Sequence, residues 1–128
     1  MSSANITLLF IGLGGFLGAI LRALTGMILT KTPVILGIPL ATLTVNIVGS
    51  LLIGIFLSSP QILAHPNLKA FLTAGLMGGL TTFSTFSFDN LNLLSHHLFM
   101  QAFFNIILNV FIGLFACYLG SLIGKHLI

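Results

Sequence analysis

Charge is nearly absent from this chain. Of its 128 residues only 4% are Asp, Glu, Lys or Arg, where soluble domains carry about 25%. The five are Arg22, Lys31, Lys69, Asp89 and Lys125, too few to cover a water-facing surface. That excludes a soluble enzyme, a nucleic-acid binder and a disordered tail. The formal net charge of +3 reflects the shortage of acids and not a basic patch, so it carries no nucleic-acid signal. Glutamate is missing altogether. The single cysteine, Cys117, can form neither an internal disulfide nor a zinc cluster, and within its apolar run it reads as a small buried hydrophobe. Met1 to Asn5 holds no Lys or Arg and the apolar stretch behind it is too long for a signal core, so a retained first segment is expected.

Apolar length is what the chain has instead. Hydrophobic types make up 57%, and a membrane-crossing helix needs about 20 mostly apolar residues. Four stretches qualify, near Ile6 to Leu29, Val34 to Leu57, Leu68 to Leu94 and Phe99 to Ile123. Residues 30–33, 58–67 and 95–97 carry the loop signals between them. The runs lack the period-2 alternation of barrel strands. The expectation is an all-α membrane protein, one four-helix domain over residues 1–128. Lys69 and Lys125 would share one side of the bilayer and Lys31 the other, a bias too weak to impose one orientation. Gly14-x3-Gly18, Gly75-x3-Gly79 and Ala116-x3-Gly120-x3-Gly124 supply small faces for close helix contact.

Polar groups at membrane depth need a partner or a wet cavity, which makes them the functional pointers. Arg22 follows sixteen mostly apolar residues and shares a face with Gly15, Gly18 and Gly26. It either snorkels to the interface or stands as a buried cation that raises the local potential for an anion. Asn46 lies mid-way along the second span, on a face with Thr42, Gly49 and Ser50. Its N–H donors serve either an interhelical bond or a conduit. Residues 75–87 put three glycines and five hydroxyls into one short stretch. Such a stretch either breaks the third helix near the midplane, freeing carbonyls of the kind that hold Na⁺ in transporters, or stays helical with its hydroxyls bonded back one turn. Phe83 and Phe86, three apart, share a side; they pack, or they turn positive ring edges toward an anion. Asn105 and Asn109 form a polar stripe on the fourth span, read as helix-to-helix bonding or as a lining. Asp89 is better suited to capping, or to pairing with a lysine, than to proton coupling. His65, His96, His97 and His126 lie in loops or at a terminus and make no metal set.

Gly14-Gly15-Phe16-Leu17-Gly18-Ala19-Ile20-Leu21-Arg22, residues 42–50 around Asn46, and Gly78-Gly79-Leu80-Thr81-Thr82-Phe83-Ser84-Thr85-Phe86-Ser87 resemble, in order and across the whole chain, the three signature motifs of the Fluc (CrcB) fluoride channels. The resemblance implies four-helix subunits paired as an antiparallel, dual-topology homodimer in the cell membrane, multi-pass, with two fluoride pores. By similarity Phe83 and Phe86 meet the ion with their ring edges and Asn46 donates to it. Thr42 and Ser84 would be hydroxyl contacts, Arg22 a vestibule arginine, and Asn109 part of the fourth-helix track. A structural sodium ion would sit at the dimer centre on backbone carbonyls at positions matching Gly78 and Thr81. Asn105 and Asn109 stand where many relatives have Tyr and Ser, and Asp89 where Glu is common. The implied activity is passive fluoride export that limits fluoride toxicity in the cytoplasm. Two other classes fit the size. A proton-coupled drug antiporter of this length needs the glutamate this chain lacks, and a scaffold subunit would use Phe83 and Asn46 for assembly alone.

Overall fold

The structure, a computed structural model, describes residues 2–29 and 37–127. Among these the chain is helical, with no strand. Helix α1 spans Ser3–Leu29, α2 Leu40–Ser58, α3 Pro60–Ala64 and α4 Pro66–Ala70. A π-helical segment, Phe71–Met77, runs on from α4 into the single turn α5, Gly78–Leu80. After two extended residues come α6, Phe83–Ser95, and α7, Phe99–Ile107; a second π-helical turn, Leu108–Ile112, then leads into α8, Gly113–His126. Three continuous helices among the described residues are long and apolar enough to cross a membrane: Ser3–Leu29, Leu40–Ser58 and Phe99–His126. The remaining apolar stretch is built from shorter pieces.

The second helix is described from Leu40. Gly37 takes a positive φ of 71° and Pro39 stands immediately before the helix, where a missing N–H costs nothing because the first helical donors have no partner. The expected first loop with Lys31, and the start of the expected second span, lie outside the described residues. The loop expected at 58–67 is instead two short helices, α3 capped by the Ser59 hydroxyl, which accepts from Ile62 N–H.

Two glycine seams hold the bundle. Along the first, Gly14 and Gly18 of α1 meet Gly75 and Gly79: a Cβ on Gly79 would lie 2.5 Å from Gly15 O, and one on Gly75 would lie 2.7 Å from Ile11 O. No side chain fits there, so the backbones touch directly, as small-residue packing in lipid requires. The second joins α2 to α8, where a Cβ on Gly120 or Gly124 would collide with Leu51 O or Ile55 O. Large apolar side chains such as Leu8, Phe16 and Met27 point outward, toward lipid. Val45, Met77 and Leu80 form the small buried cluster, with Leu52, Ile53, Phe56 and Leu76 packed against it.

Candidate functional site

Residues 81 and 82 interrupt the helix, and the reason is readable bond by bond. Thr81 keeps its α-helical bond, its N–H and its hydroxyl both donating to Met77 O at 2.9 and 2.8 Å, but its ψ of 154° turns the chain outward. The Thr82 N–H, which would donate to Gly78 O in a continuous helix, donates instead to Asn46 Oδ1 at 2.9 Å. Thr82 then caps α6: its hydroxyl oxygen accepts from Thr85 N–H at 3.2 Å, taking the donor that would otherwise reach Thr81 O. Such caps are worth about 1 kcal/mol. Gly78 O and Thr81 O are thereby left without their helical donors.

Asn46 stitches the interruption to two other helices. Its Nδ2 donates to Asn109 Oδ1 at 3.0 Å and, more weakly, to Thr82 O at 3.4 Å. Asn109 Nδ2 donates to Asn105 Oδ1 and Asn105 O, at 3.0 and 2.9 Å. Asn105 Nδ2 donates to Asn90 Oδ1 at 3.2 Å, and Asn90 Nδ2 to Phe86 O at 2.7 Å. The Asn105–Asn109 stripe therefore bonds helix to helix and, through Asn109, also reaches the candidate site. Asn90 was not singled out from the sequence. Its position four after Phe86, the reach of an Asn to a carbonyl one turn back, is the signal that was there to use.

Around Asn46 lies an open-sided cavity of about 400 Å³, lined among others by Ser50, Thr81, Phe83, Phe86 and Asn109. Among the described residues no charged side chain lines it. The Phe83 and Phe86 rings stand 5.7 Å apart, tilted by 43°. Phe83 is 79% exposed, so it is not packed into the interior of the chain. Ser84 is exposed too, its hydroxyl 3.3 Å from that of Thr82. Ser50 and Asn109 also border a neighbouring hollow of about 360 Å³ that reaches Cys117.

Thr42 and Arg22 lie apart from this group. They border a second cavity of about 260 Å³ with Gly26, Val45, Thr82 and Thr85, so the face expected to carry Thr42 beside Asn46 is divided between two spaces, with Thr82 common to both. The Thr42 hydroxyl donates to Asp89 Oδ2 at 2.7 Å, an interhelical partner that the sequence reading did not foresee. Arg22 sits half-buried one turn beyond Gly18. No group of three or more potential metal-ligating side chains occurs among the described residues. The oxygens lining the cavity around Asn46 belong to the backbone, to hydroxyls and to side-chain amides.

Helices of spanning length, glycine seams in place of a large core, and a cleft lined by uncharged polar and aromatic side chains define a multi-pass α-helical membrane protein. The model of the family described as CrcB-like protein, Camphor Resistance (CrcB), matches residues 9–121, and the chain belongs to that family. It is 47% identical over 120 residues to the fluoride-specific ion channel FluC of Campylobacter fetus, covering 93% of this chain and 94% of that one. With the protein of the same name from Flavobacterium psychrophilum it shares 46% identity, covering 94% and 98%. The archaeal fluoride-specific ion channel FluC 1 of Methanosarcina acetivorans is 42% identical, covering 94% and 92%.

Proposed function

We infer that the chain is a fluoride-selective passive channel, not an enzyme, and that it lets fluoride leave the cell down its electrochemical gradient. The observation that carries the reading is the chemistry of the cavity around Asn46: side-chain amides, hydroxyls and two phenylalanines, with no fixed cation among its lining residues. Fluoride holds its water tightly. A pore must replace that water with donors while releasing the ion quickly, which neutral donors and ring edges permit and a lysine would not. The names of the relatives point the same way.

Phe83, Phe86, Asn46, Ser84 and Asn109 are the proposed pore contacts. Both Arg22 and Thr42 border the adjoining cavity; Arg22 is the proposed vestibule cation, and Thr42 a proposed hydroxyl contact along the route. A second, inverted copy of the chain completes the assembly. Ser84, Thr85 and Ser87 lie exposed beside Phe83 and Phe88 on α6, and hydroxyls facing lipid are costly unless another protein surface covers them. The near-balanced lysines are compatible with both orientations. Such an antiparallel dimer carries two pores, in the cell membrane.

The freed carbonyls of Gly78 and Thr81 suit a structural sodium ion, because a hard cation takes oxygen ligands and an interrupted helix offers them. When bound it would offset the partial negative charge of these carbonyls where the two copies meet. Phe83→Ile tests the pore assignment: it keeps apolar bulk and removes the polarised ring. Proteoliposomes with this variant should show no fluoride release above background while the protein keeps its dimeric elution volume. Full release from an intact dimer would overturn the assignment.

A further inference from the structure

The amide chain that begins at Thr82 and ends at Phe86 has a direction, and Asn109 is its pivot. An asparagine amide presents an acceptor on one side and donors on the other, so its orientation decides what it offers the cavity. Both Asn105 oxygens accept from Asn109 Nδ2, at 3.0 and 2.9 Å. Turning the Asn109 amide over would break both bonds and set its own oxygen against two acceptors. Asn105 is equally fixed: its Nδ2 donates to Asn90 Oδ1 at 3.2 Å, and Asn90 is anchored on Phe86 O at 2.7 Å. Asn105 is 0% exposed, so it cannot itself meet an ion. Asn109 stands in the π-helical turn Leu108–Ile112, a distortion frequent at functional sites.

We propose that Asn105, locked by Asn90, is a positioning residue that holds Asn109 with its carbonyl toward Asn46, so that an anion reaching Asn46 must displace an acceptor and is held only loosely. The proposal rests on the fluoride reading above and adds to it the means by which the site is kept weak. Asn46 has its N–H groups on Asn109 Oδ1 and Thr82 O, so the anion competes with oxygens already in place. Without the Asn105 side chain one of the two bonds that fix the Asn109 amide is lost and only the backbone oxygen of residue 105 still accepts from its Nδ2, so the amide turns more readily and brings its own N–H groups to the cavity. The anion then loses a competitor and gains a donor. It binds more tightly and leaves more slowly.

The test titrates fluoride into the purified full-length chain by calorimetry and measures release from liposomes, for wild type, Asn105→Ala and Asn90→Ala. The expected result is fluoride affinity raised by about tenfold in Asn105→Ala, the scale of one hydrogen bond to a charged partner, with release slowed. Asn90→Ala should shift both in the same direction by less, and it carries the test if Asn105→Ala does not fold. In an Asn109→Ala background neither substitution should change affinity further, because the effect travels through Asn109. Affinity unchanged or weakened in the folded variants, or an equal gain without Asn109, would overturn the proposal. A readout free of fluoride separates this from the function itself. In asparagine-¹⁵N-labelled protein, Asn105→Ala should move the side-chain amide resonances of Asn109 and Asn46, and unmoved resonances sink the positioning role alone. Wild-type protein that neither binds nor releases fluoride sinks the fluoride reading, leaving the resonances to decide the orientation.

Discussion

Asn46 shows how much one side chain can do where water is scarce. It accepts from Thr82 N–H and donates to Asn109, so it both opens the third helical stretch and ties it to the fourth. Its position in the middle of an apolar helix was legible, since an amide at that depth demands partners. Which partners it has was not, because Thr82 and Asn109 are 36 and 63 residues away along the chain. Asn46→Asp keeps the shape and the acceptor and replaces the donor with an anionic oxygen. Fluoride release should fall by at least tenfold, roughly the loss of one charge-assisted hydrogen bond of about 1.5–3 kcal/mol. Release at the wild-type rate from a folded variant would remove Asn46 from the pore. Asn105 and Asn90 illustrate the opposite case. They are buried polar residues whose meaning lies entirely in their neighbours, and composition gives no hint of the order in which they bond.

At the scale of elements, the local bonds at residues 81 and 82 account for the two extended residues between α5 and α6. Gly78 and Gly79 both remain helical; the turn outward comes at Thr81, once Asn46 has taken the Thr82 N–H and the Thr82 hydroxyl has capped α6. Glycine at 79 serves close packing against Gly15 and Ala19, where a Cβ would meet backbone atoms. The two π-helical stretches, Phe71–Met77 and Leu108–Ile112, had no sequence signal, because a widened turn changes neither apolar period nor composition by enough to notice. Thr82→Val removes the cap and keeps the bulk. It should cost about 1 kcal/mol of stability, seen as earlier thermal unfolding in detergent, with fluoride release reduced and not abolished. An unchanged unfolding temperature would show that the hydroxyl does not hold the start of α6.

For the whole molecule, membrane class followed from the near absence of charge, and the glycine seams followed from spacing; the structure faces Gly14 and Gly18 onto Gly75 and Gly79 as small-residue packing predicts. The exposed Phe83 and the open side of the cavity lie on the surface proposed to meet a second copy. The proposed sodium ion acts at this scale because of its proposed carbonyl ligands Gly78, in α5, and Thr81, in the extended pair that follows, where the partner copy is proposed to meet the chain. Replacing Na⁺ by N-methylglucamine through purification and assay should shift the protein toward monomer or slow fluoride release. Undiminished release from an undiminished dimer would remove the ion from the account.

The most direct measurement follows fluoride with an electrode as it leaves liposomes holding the purified chain, beside a matched chloride-loaded preparation, with a potassium ionophore balancing charge. The account predicts rapid fluoride release, retained chloride and no need for a proton gradient. Release only under an imposed proton gradient, equal release of both anions, or none from a folded preparation would contradict it.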